Sequence, residues 1–532
     1  MAATRPRGAA PAFSDRNDRM PKMSFGTQTR QVPGHLLRSL GCSAALRTAV
    51  LVLVFSAAAV LESRSLQSLT DPSVWLQMRT GTWILDHHAL PHSGLFSRFD
   101  KLSWTDPNWG AQVILALLYR LLGLHALPVV QMVFRTLTAI ATFLLAGGRR
   151  GRFWLAVVLS IWAQAAMLHA SQSQLLNVVL FSVELWVLFA SRGEGRQNLR
   201  WWVPFLVVLW ANLDWHFVFG FVVVLLFLTA ILLEQVLRGT LSAESDGATG
   251  RSVQPALVAA ASCVASLLTP YSYHSYAVAW QHWFTKTAPR FAPELKSMNF
   301  RQPEDYLVML LAMGAFLAIG RQRARDLFQV MLLAVCAVLG FAIQHEAWTI
   351  VVVAVAILGN SLAPAGVRLD ELSRDPKPAL WALAGAILVL LGASASQMPS
   401  KEKMLEVMAH KLPVRACDFI RQNHLPNPIF NEQSWGDFLT WYLPEYPVSM
   451  DGRYELYGEE QLKLYSEVTA GKLPPSGSPM LASASTILLS KENGLVQGPQ
   501  MFPDPEQVFQ SVYPGFRKVY SDDLAVIWTN QR

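Results

Sequence analysis

The chain has 532 residues, of which 52% are hydrophobic and only 15% charged, with 18 tryptophans and a mean hydropathy of +0.28. Soluble domains carry about a quarter charged residues, so this chain has too little polar side chain to cover itself in water; an ordinary cytosolic enzyme, a collagen, a coiled coil and general disorder are excluded. The formal net charge of +7 carries no nucleic-acid argument, because membrane proteins concentrate Lys and Arg in cytoplasmic loops for topological reasons.

Residues 1–43 are rich in Arg, Pro, Ser and Gly without sustained periodicity and read as a disordered cytoplasmic arm. The run 44–61 has no small-x-small cleavage site followed by a soluble stretch, so it reads as a retained anchor. Further apolar runs follow at 126–147, 153–170, 174–191, 254–271, 305–320, 327–344, 346–363 and 379–397. The run 201–236 is too long for one helix and is interrupted by Asn212, Asp214 and His216, which predicts two helices meeting at a polar tip. The fold expected is mainly α, a polytopic membrane protein with about 11 spans over 44–397. With the N-terminus inside, the inner loops collect RRGR (149–152), RQRAR (321–325), and Arg368, Arg374 and Lys377, as the positive-inside rule requires. The segment 62–108, the 212–216 tip, the segment 272–304, the His345/Glu346 turn and everything after about 398 then share the extracytoplasmic side. The stretches TGTWILDHHALP and WGAQVILALLYRLLGLH in and after the first outer segment read as helices lying in the interface. No phosphate-cradling glycine loop occurs in the inner loops, so a nucleotide-driven pump has no motor.

Residues 398–532 hold 12 basic and 16 acidic side chains and read as a soluble extracytoplasmic α/β domain. PVRACDFIRQN has a helical pattern, and NPIFN, TILLS and LAVIW read as short buried strands. The densest motif runs from Trp435-Gly436-Asp437 to Trp441 and on through PVSMDGRYELYG; Asp451-Gly452-Arg453 has turn chemistry, pinned by an Arg/Asp pair.

Ionisable residues inside a bilayer are costly and usually paired. Arg135 and Glu184 fall at nearly the same depth of their runs, roughly 14–15 Å from the outer end at 1.5 Å per residue, which predicts a buried ion pair. At the outer edge, Asp71, Trp75, Gln77, Arg79, Asp86, His87, His88, His92, Asp100 and Asp106 crowd the first segment, and Asn212, Asp214 and His216 face it from the tip. A carboxylate there can take a proton from an acceptor hydroxyl, and a basic group can hold a lipid phosphate. The histidines beside Pro91 read as solvated rather than metal-binding. The four cysteines, Cys42, Cys263, Cys336 and Cys417, are scattered without CxxC or Cys/His spacing, so neither a zinc site nor a disulfide framework is supported.

Several stretches, in order and spacing, resemble one family: TDPSVWLQMRTGTWILDHHALPHSGLFS, WTDPNWGAQVILALLYRLLG, LWANLDWHFVFG, LLTPYSY, APELKSMNF and FNEQSWGDFLTWYLPEYPVSMDGRYELYG. They are similar to the bacterial multi-span glycosyltransferases of the GT-C type, in the RgtA/B/C/D-like branch. The resemblance covers nearly everything after residue 44. It implies an enzyme of a bacterial inner membrane that takes a sugar from a polyprenyl-phosphate carrier and transfers it to a glycan, lipid or protein acceptor outside. It makes Asp71 the general base, with Trp75, Gln77, Arg79, Asp106, Asn212, Asp214, His216, Arg290 and His345 as substrate-binding residues. Arg79, Lys286, Arg290 and His345 would offset the departing phosphate charge. No cofactor is expected: a divalent metal has no clear motif. The partners are the carrier, the bilayer and the acceptor, not nucleic acid. Relatives often read DPDxWWH and PxxDxFS where this chain has Ser73, Gln77 and Gly94, and Gln172-Ser173 replaces the Arg-Pro that commonly opens the fourth span. These departures open the alternative of a non-catalytic GT-C-like protein that binds lipid-linked sugar or scaffolds envelope assembly. A transporter is disfavoured, since neither an inverted repeat nor broken mid-membrane helices are seen.

Overall fold

A computed structural model describes residues 44–148, 152–192, 195–239, 249–284, 289, 295–322, 326–361, 377–469, 479–491 and 514–530. The arm 1–43, residues 149–151 of RRGR and 323–325 of RQRAR, Arg368 and Arg374 lie outside the described residues. The residues described from Thr48 onward form one compact unit.

Helices occupy all eleven stretches read as spans: α1 (Ala44–Ser65), α4 (Ala126–Leu145), α5 (Phe153–Ala166), α6 (Gln172–Ala190), α7 (Trp202–Ala211), α8 (Phe217–Gly239), α9 (Thr249–Ser266), α11 (Pro303–Gly320), α12 (Leu327–Ala342), α13 (Ala347–Ser361) and α14 (Lys377–Ser396). Among the described residues, five apolar helical stretches are long enough by length and composition to cross a bilayer; a sixth becomes possible if α14 is joined to α15 (Lys401–Ala409) across a 78° bend. The others are shorter than the about 20 residues a span needs. α7 has only ten residues, because it ends at the polar tip that the sequence predicted. Residues Trp348 to Gly359 of α13 are buried on every side, so α13 is the central helix of the bundle, apolar all round as such a position requires.

The two stretches read as interfacial are helices α2 (Ser73–His87) and α3 (Trp109–Leu122), with α10 (His274–Phe284) on a later outer segment. α3 passes through a 3-10 turn at Gly123–His125 into α4, so Trp109–Leu145 counts as a single long apolar stretch.

In the tail, α16 (Val414–Gln422), α17 (Gly436–Tyr442), α18 (Tyr454–Thr469) and α19 (Pro479–Ala482) accompany β1 (Ile429–Asn431), β2 (Thr486–Ser490), β3 (Phe516–Ser521) and β4 (Ala525–Asn530). The sheet order is β1-β2-β4-β3; β1 runs parallel to β2, with Phe430 opposite Ile487, and β4 antiparallel to β2 and β3. β1, β2 and β4 read as apolar runs because both of their faces are covered, whereas the edge strand β3 (FRKVYS) exposes Arg517 and Lys518. Side chains alternate between faces: Ile429, Leu488 and Ile527 enter one core, and Phe430, Ile487, Leu489, Val526 and Trp528 another. The first core is completed by Leu66, Leu69, Val74, Trp75, Met78 and Leu115, and the second by Trp104. The tail therefore closes its cores with the segment after α1. Burial of that apolar area, at about 25 cal/mol per Å², fixes the tail over one end of the helix bundle.

Arg135 and Glu184 do not pair. The Arg135 guanidinium donates to the carbonyls of Met167 at 2.5 Å, Leu168 at 2.5 Å and Ala170 at 3.2 Å, where α5 ends and leaves carbonyls without intrahelical partners. Both Glu184 oxygens are buried without a hydrogen-bond partner. Equal depth did not bring the two side chains together, because the helix end offered Arg135 better acceptors.

Candidate functional site

A cavity of about 860 Å³ lies between the tail and the helix ends that face it. Asp71, Ser73, His169, Gln174 and His345 line one side, and Gln433, Asp437, Gly452 and Tyr454 the tail side.

Asp71 opens α2 in an Asx turn: its Oδ1 accepts from the Ser73 amide at 3.0 Å and the Ser73 hydroxyl at 2.8 Å. Enclosure raises its pKa above the usual carboxylate range, with the Ser73 hydrogen bonds and the nearby His345 pulling the other way. A base poised closer to neutrality transfers protons more efficiently. The serine that stands where relatives often carry a second acid thus binds Asp71 itself.

Behind His345 lies a buried network built from two turns. The 212–216 tip supplies Asp214 and His216, and the 3-10 turn Gln344–Glu346 supplies His345 and Glu346. His216 Nδ1 lies against Asp214 Oδ1; Asp214 Oδ2 accepts from Ser173 Oγ at 2.5 Å. His216 Nε2 lies 3.3 Å from Glu346 Oε1, and His345 Nδ1 lies 3.3 Å from the same oxygen. Glu346 Oε2 accepts from Trp348 Nε1 at 3.1 Å. The His345 carbonyl accepts from Gln174 Nε2 at 2.7 Å, and Gln174 belongs to the capping box that starts α6 with Ser171. Among the described residues, the donor atoms of His216, His345 and Glu346 form a group lying within 4.8 Å of one another.

The tail side rests on two interlocked turns. Asp437 Oδ1 accepts from the Gly452 amide at 2.8 Å. A Cβ on Gly436 would sit 2.1 Å from the Met450 carbonyl oxygen, and one on Gly452 2.5 Å from Asp437 Oδ2, so the glycines of the WGD and DGR motifs are needed for close approach. Arg453 donates Nε to Asp451 Oδ1 at 3.0 Å and Nη2 to Oδ2 at 2.6 Å, as the turn chemistry predicted. It also reaches the Leu95 carbonyl at 2.8 Å and lies over the Trp104 ring at 4.5 Å, which binds the DGR turn to the first outer segment. Burial and then the neighbouring Asp451 push the Asp437 carboxyl up to about 8, against the Gly452 amide and Arg453.

Of the residues chosen from sequence, Asp71 and His345 line the cavity, and Asp214 and His216 support His345 through Glu346. Trp75 is wholly buried, with its ring 4.3 Å from that of Trp441 and 5.8 Å from that of Phe438; it is a core residue under the tail. Gln77 and Arg79 lie on α2 outside the lining, Arg79 over the Phe96 ring at 5.2 Å. Asp106 is buried, accepting from the Asn108 amide at 3.1 Å and Gln112 Nε2 at 3.0 Å; burial pushes its carboxyl up to about 6. Asn212 pins the tip through the carbonyls of Val208 at 2.9 Å and Leu268 at 3.0 Å. Arg290 and Lys286 lie outside the described residues. His87 stacks on Trp83 and His92 packs edge-on to Tyr271. Sequence reasoning missed Glu346, Asp437, Gln433 and His169 as site residues. The signal for Asp437 was present in its dense motif, whereas His169, paired with Glu304 at 3.6 Å, carried none.

No family model matches the chain, and no curated protein matches it in sequence. Its structure is similar to that of the archaeal oligosaccharyltransferase AglB from Archaeoglobus fulgidus in complex with an inhibitory peptide and a dolichol-phosphate. That match has 11% identity, covers 84% of this chain and 69% of that one, and has a TM-score of 0.50. ArnT from Cupriavidus metallidurans bound to undecaprenyl phosphate aligns at 12% identity over 91% of this chain and 97% of its own, with a TM-score of 0.44. The Archaeoglobus fulgidus oligosaccharyltransferase in complex with Zn and sulfate aligns at 12% identity, covering 90% and 73%, with a TM-score of 0.48. At these identities the likeness is one of fold. Helices at the predicted spans, a small sheet after the last of them and the AglB match together make the chain a polytopic membrane protein of GT-C-like fold.

Proposed function

We propose that the chain is a membrane glycosyltransferase that moves a sugar from a polyprenyl-phosphate carrier to an envelope glycan, lipid or protein acceptor. In this reading it sits in a bacterial inner membrane, its N-terminus cytoplasmic and its C-terminal domain extracytoplasmic, as the basic inner loops support. The observation that carries the proposal is one cavity lined by both Asp71 and His345, between the helix ends and the tail. The AglB structure, of similar fold, holds a dolichol-phosphate. Fold alone does not assign activity; the side chains in the cavity do the arguing.

The reaction is an inverting displacement. Asp71 takes the proton of the acceptor hydroxyl, the acceptor oxygen bonds to the anomeric carbon, and the bond from that carbon to the phosphate oxygen breaks, releasing polyprenyl phosphate. His345 and His169, which line the same side of the cavity, are placed to offset the charge that develops on the phosphate. Asp437 carries a carboxyl that is protonated near neutrality and donates a hydrogen bond to an acceptor or phosphate oxygen. A second reading, a non-catalytic protein that binds lipid-linked sugar, draws on one specific observation: Asp71 Oδ1 is already engaged twice by Ser73.

The full chain purified in lipid is screened against polyprenyl-phosphate sugars, with Asp71→Asn beside the wild type. Turnover is expected with at least one donor, and a fall of about 100- to 10,000-fold in Asp71→Asn. An unchanged rate in the variant removes Asp71 as base, and binding of a donor without turnover favours the second reading.

A further inference from the structure

We propose that Ser73 is the positioning residue of the base: its hydroxyl holds the Asp71 carboxylate so that one oxygen, Oδ2, is presented to the acceptor hydroxyl. The inference rests on the proposed function and adds to it which oxygen takes the proton and what fixes that choice. Asp71 Oδ1 accepts two hydrogen bonds, from the Ser73 amide at 3.0 Å and the Ser73 hydroxyl at 2.8 Å. Among the described residues Oδ2 has no hydrogen-bond partner, and both residues line the cavity.

The two bonds do different work. The amide bond closes the Asx turn that starts α2, and it survives whatever side chain stands at position 73. The hydroxyl bond adds nothing that the turn needs; its effect is on the carboxylate. The terminal torsion of an aspartate is broad and roughly two-fold, so a carboxylate held by one donor can rotate and exchange its oxygens. Two donors on Oδ1 keep Oδ2 turned away from the turn. A base already held in its working orientation has less freedom to lose on the way to the transition state.

The hydroxyl contact also discriminates between charge states, because a hydrogen bond to an ionised acceptor is the stronger one. Enclosure raises the Asp71 pKa, and the Ser73 hydroxyl and amide oppose it, ahead of His345. The other titratable groups lining the cavity are His169 and His345 on the membrane side, Glu304 and Asp305 at the start of α11, and Asp437 on α17. Asp437 and Asp71 repel each other, yet among the described residues none of the five bonds to Asp71. Ser73 is the group that holds it.

Ser73→Ala, Ser73→Thr and Ser73→Asp are compared with the wild type as full chains in lipid, with Tm as the check that each folds. The first measurement needs no substrate. A hydrophobic carbodiimide couples to protonated carboxyls, and peptide mass spectrometry gives the pH at which Asp71 is half labelled. That pH should rise by about one unit in Ser73→Ala and at least as far in Ser73→Asp, where a like charge joins the carboxylate. It should stay in place in Ser73→Thr, which keeps the hydroxyl. The second measurement is transfer from a donor that the wild type turns over. In Ser73→Ala, kcat should fall about 10-fold with little change in KM, and the acidic limb of kcat/KM should move up with the labelling pH; Ser73→Thr should restore both. A folded Ser73→Ala in which neither pH moves overturns the proposal, even if kcat falls, since a merely structural role would do that. Turnover with the base role of Asp71 intact then still stands. A shifted labelling pH without turnover of any donor keeps the hold of Ser73 on Asp71 and removes the proposed function.

Discussion

The two sides of the cavity are built differently. On the membrane side, His169 and His345 sit on turns between helices, and Gln174 in the first turn of α6, with positions set by apolar packing around α13. Each turn is trimmed by a few hydrogen bonds, such as that from Gln174 to the His345 carbonyl. On the tail side, Gln433 and Asp437, just before and in the first turn of α17, are locked against Gly452 of the DGR turn, with a sealed Arg453–Asp451 pair beneath. One side is held by many weak, distributed contacts, the other by a few that cannot be removed singly. Helix packing thus makes a tolerant wall, and interlocked turns a brittle one.

Arg453→Met tests the brittle wall hardest. It strands Asp451 buried without its counter-ion, and a loss of about 3–5 kcal/mol is expected, read as a lower Tm in lipid or detergent and faster proteolysis of the tail; an unchanged Tm would contradict the sealed pair. Gly436→Ala drives a methyl into the Met450 carbonyl and should cost about 1–3 kcal/mol by the same measurements. On the tolerant wall, Gln174→Ala removes the capping-box partner and the His345 contact together, yet should cost only about 1 kcal/mol. If its effect equals that of Arg453→Met, the contrast between the walls fails.

A pH slope gives a further test of the tail side. Asp437 has a folded pKa of about 8 against 3.8, so between those values the folded state binds more protons than the unfolded one. Its contribution is complete below about pH 4 and is lost as pH rises to about 8. The tail should melt at a lower temperature at pH 8 than at pH 6, and Asp437→Asn should flatten that difference. A slope that persists in the variant assigns it to other groups.

Much of this architecture was legible in the chain. Apolar runs located the helices, and the break at Asn212, Asp214 and His216 located the tip. Short β-branched runs located β1, β2 and β4, because strand and helix periodicity are local properties. The Asp451/Arg453 pairing was legible for the same reason, since two residues of one turn must meet. Trp75 was misread because a tryptophan near an aspartate looks the same in sequence whether it faces a ligand or, as here, Trp441 in a core. Arg135 was misread because depth along a helix is encoded in sequence and rotation about its axis toward a partner is not.

What the sequence determined by itself is therefore the class of the protein, the places of its helices, the tail's strands and turns, and Asp71 as a carboxylate worth testing. Tertiary structure alone decided that Glu346 meets His216, 130 residues away in the chain, and that Asp437 faces the cavity from the opposite side to Asp71. The physical reason is that propensity and periodicity act over a few residues. A site assembled from three turns and a folded tail is set by helix packing and core closure, which no local pattern records.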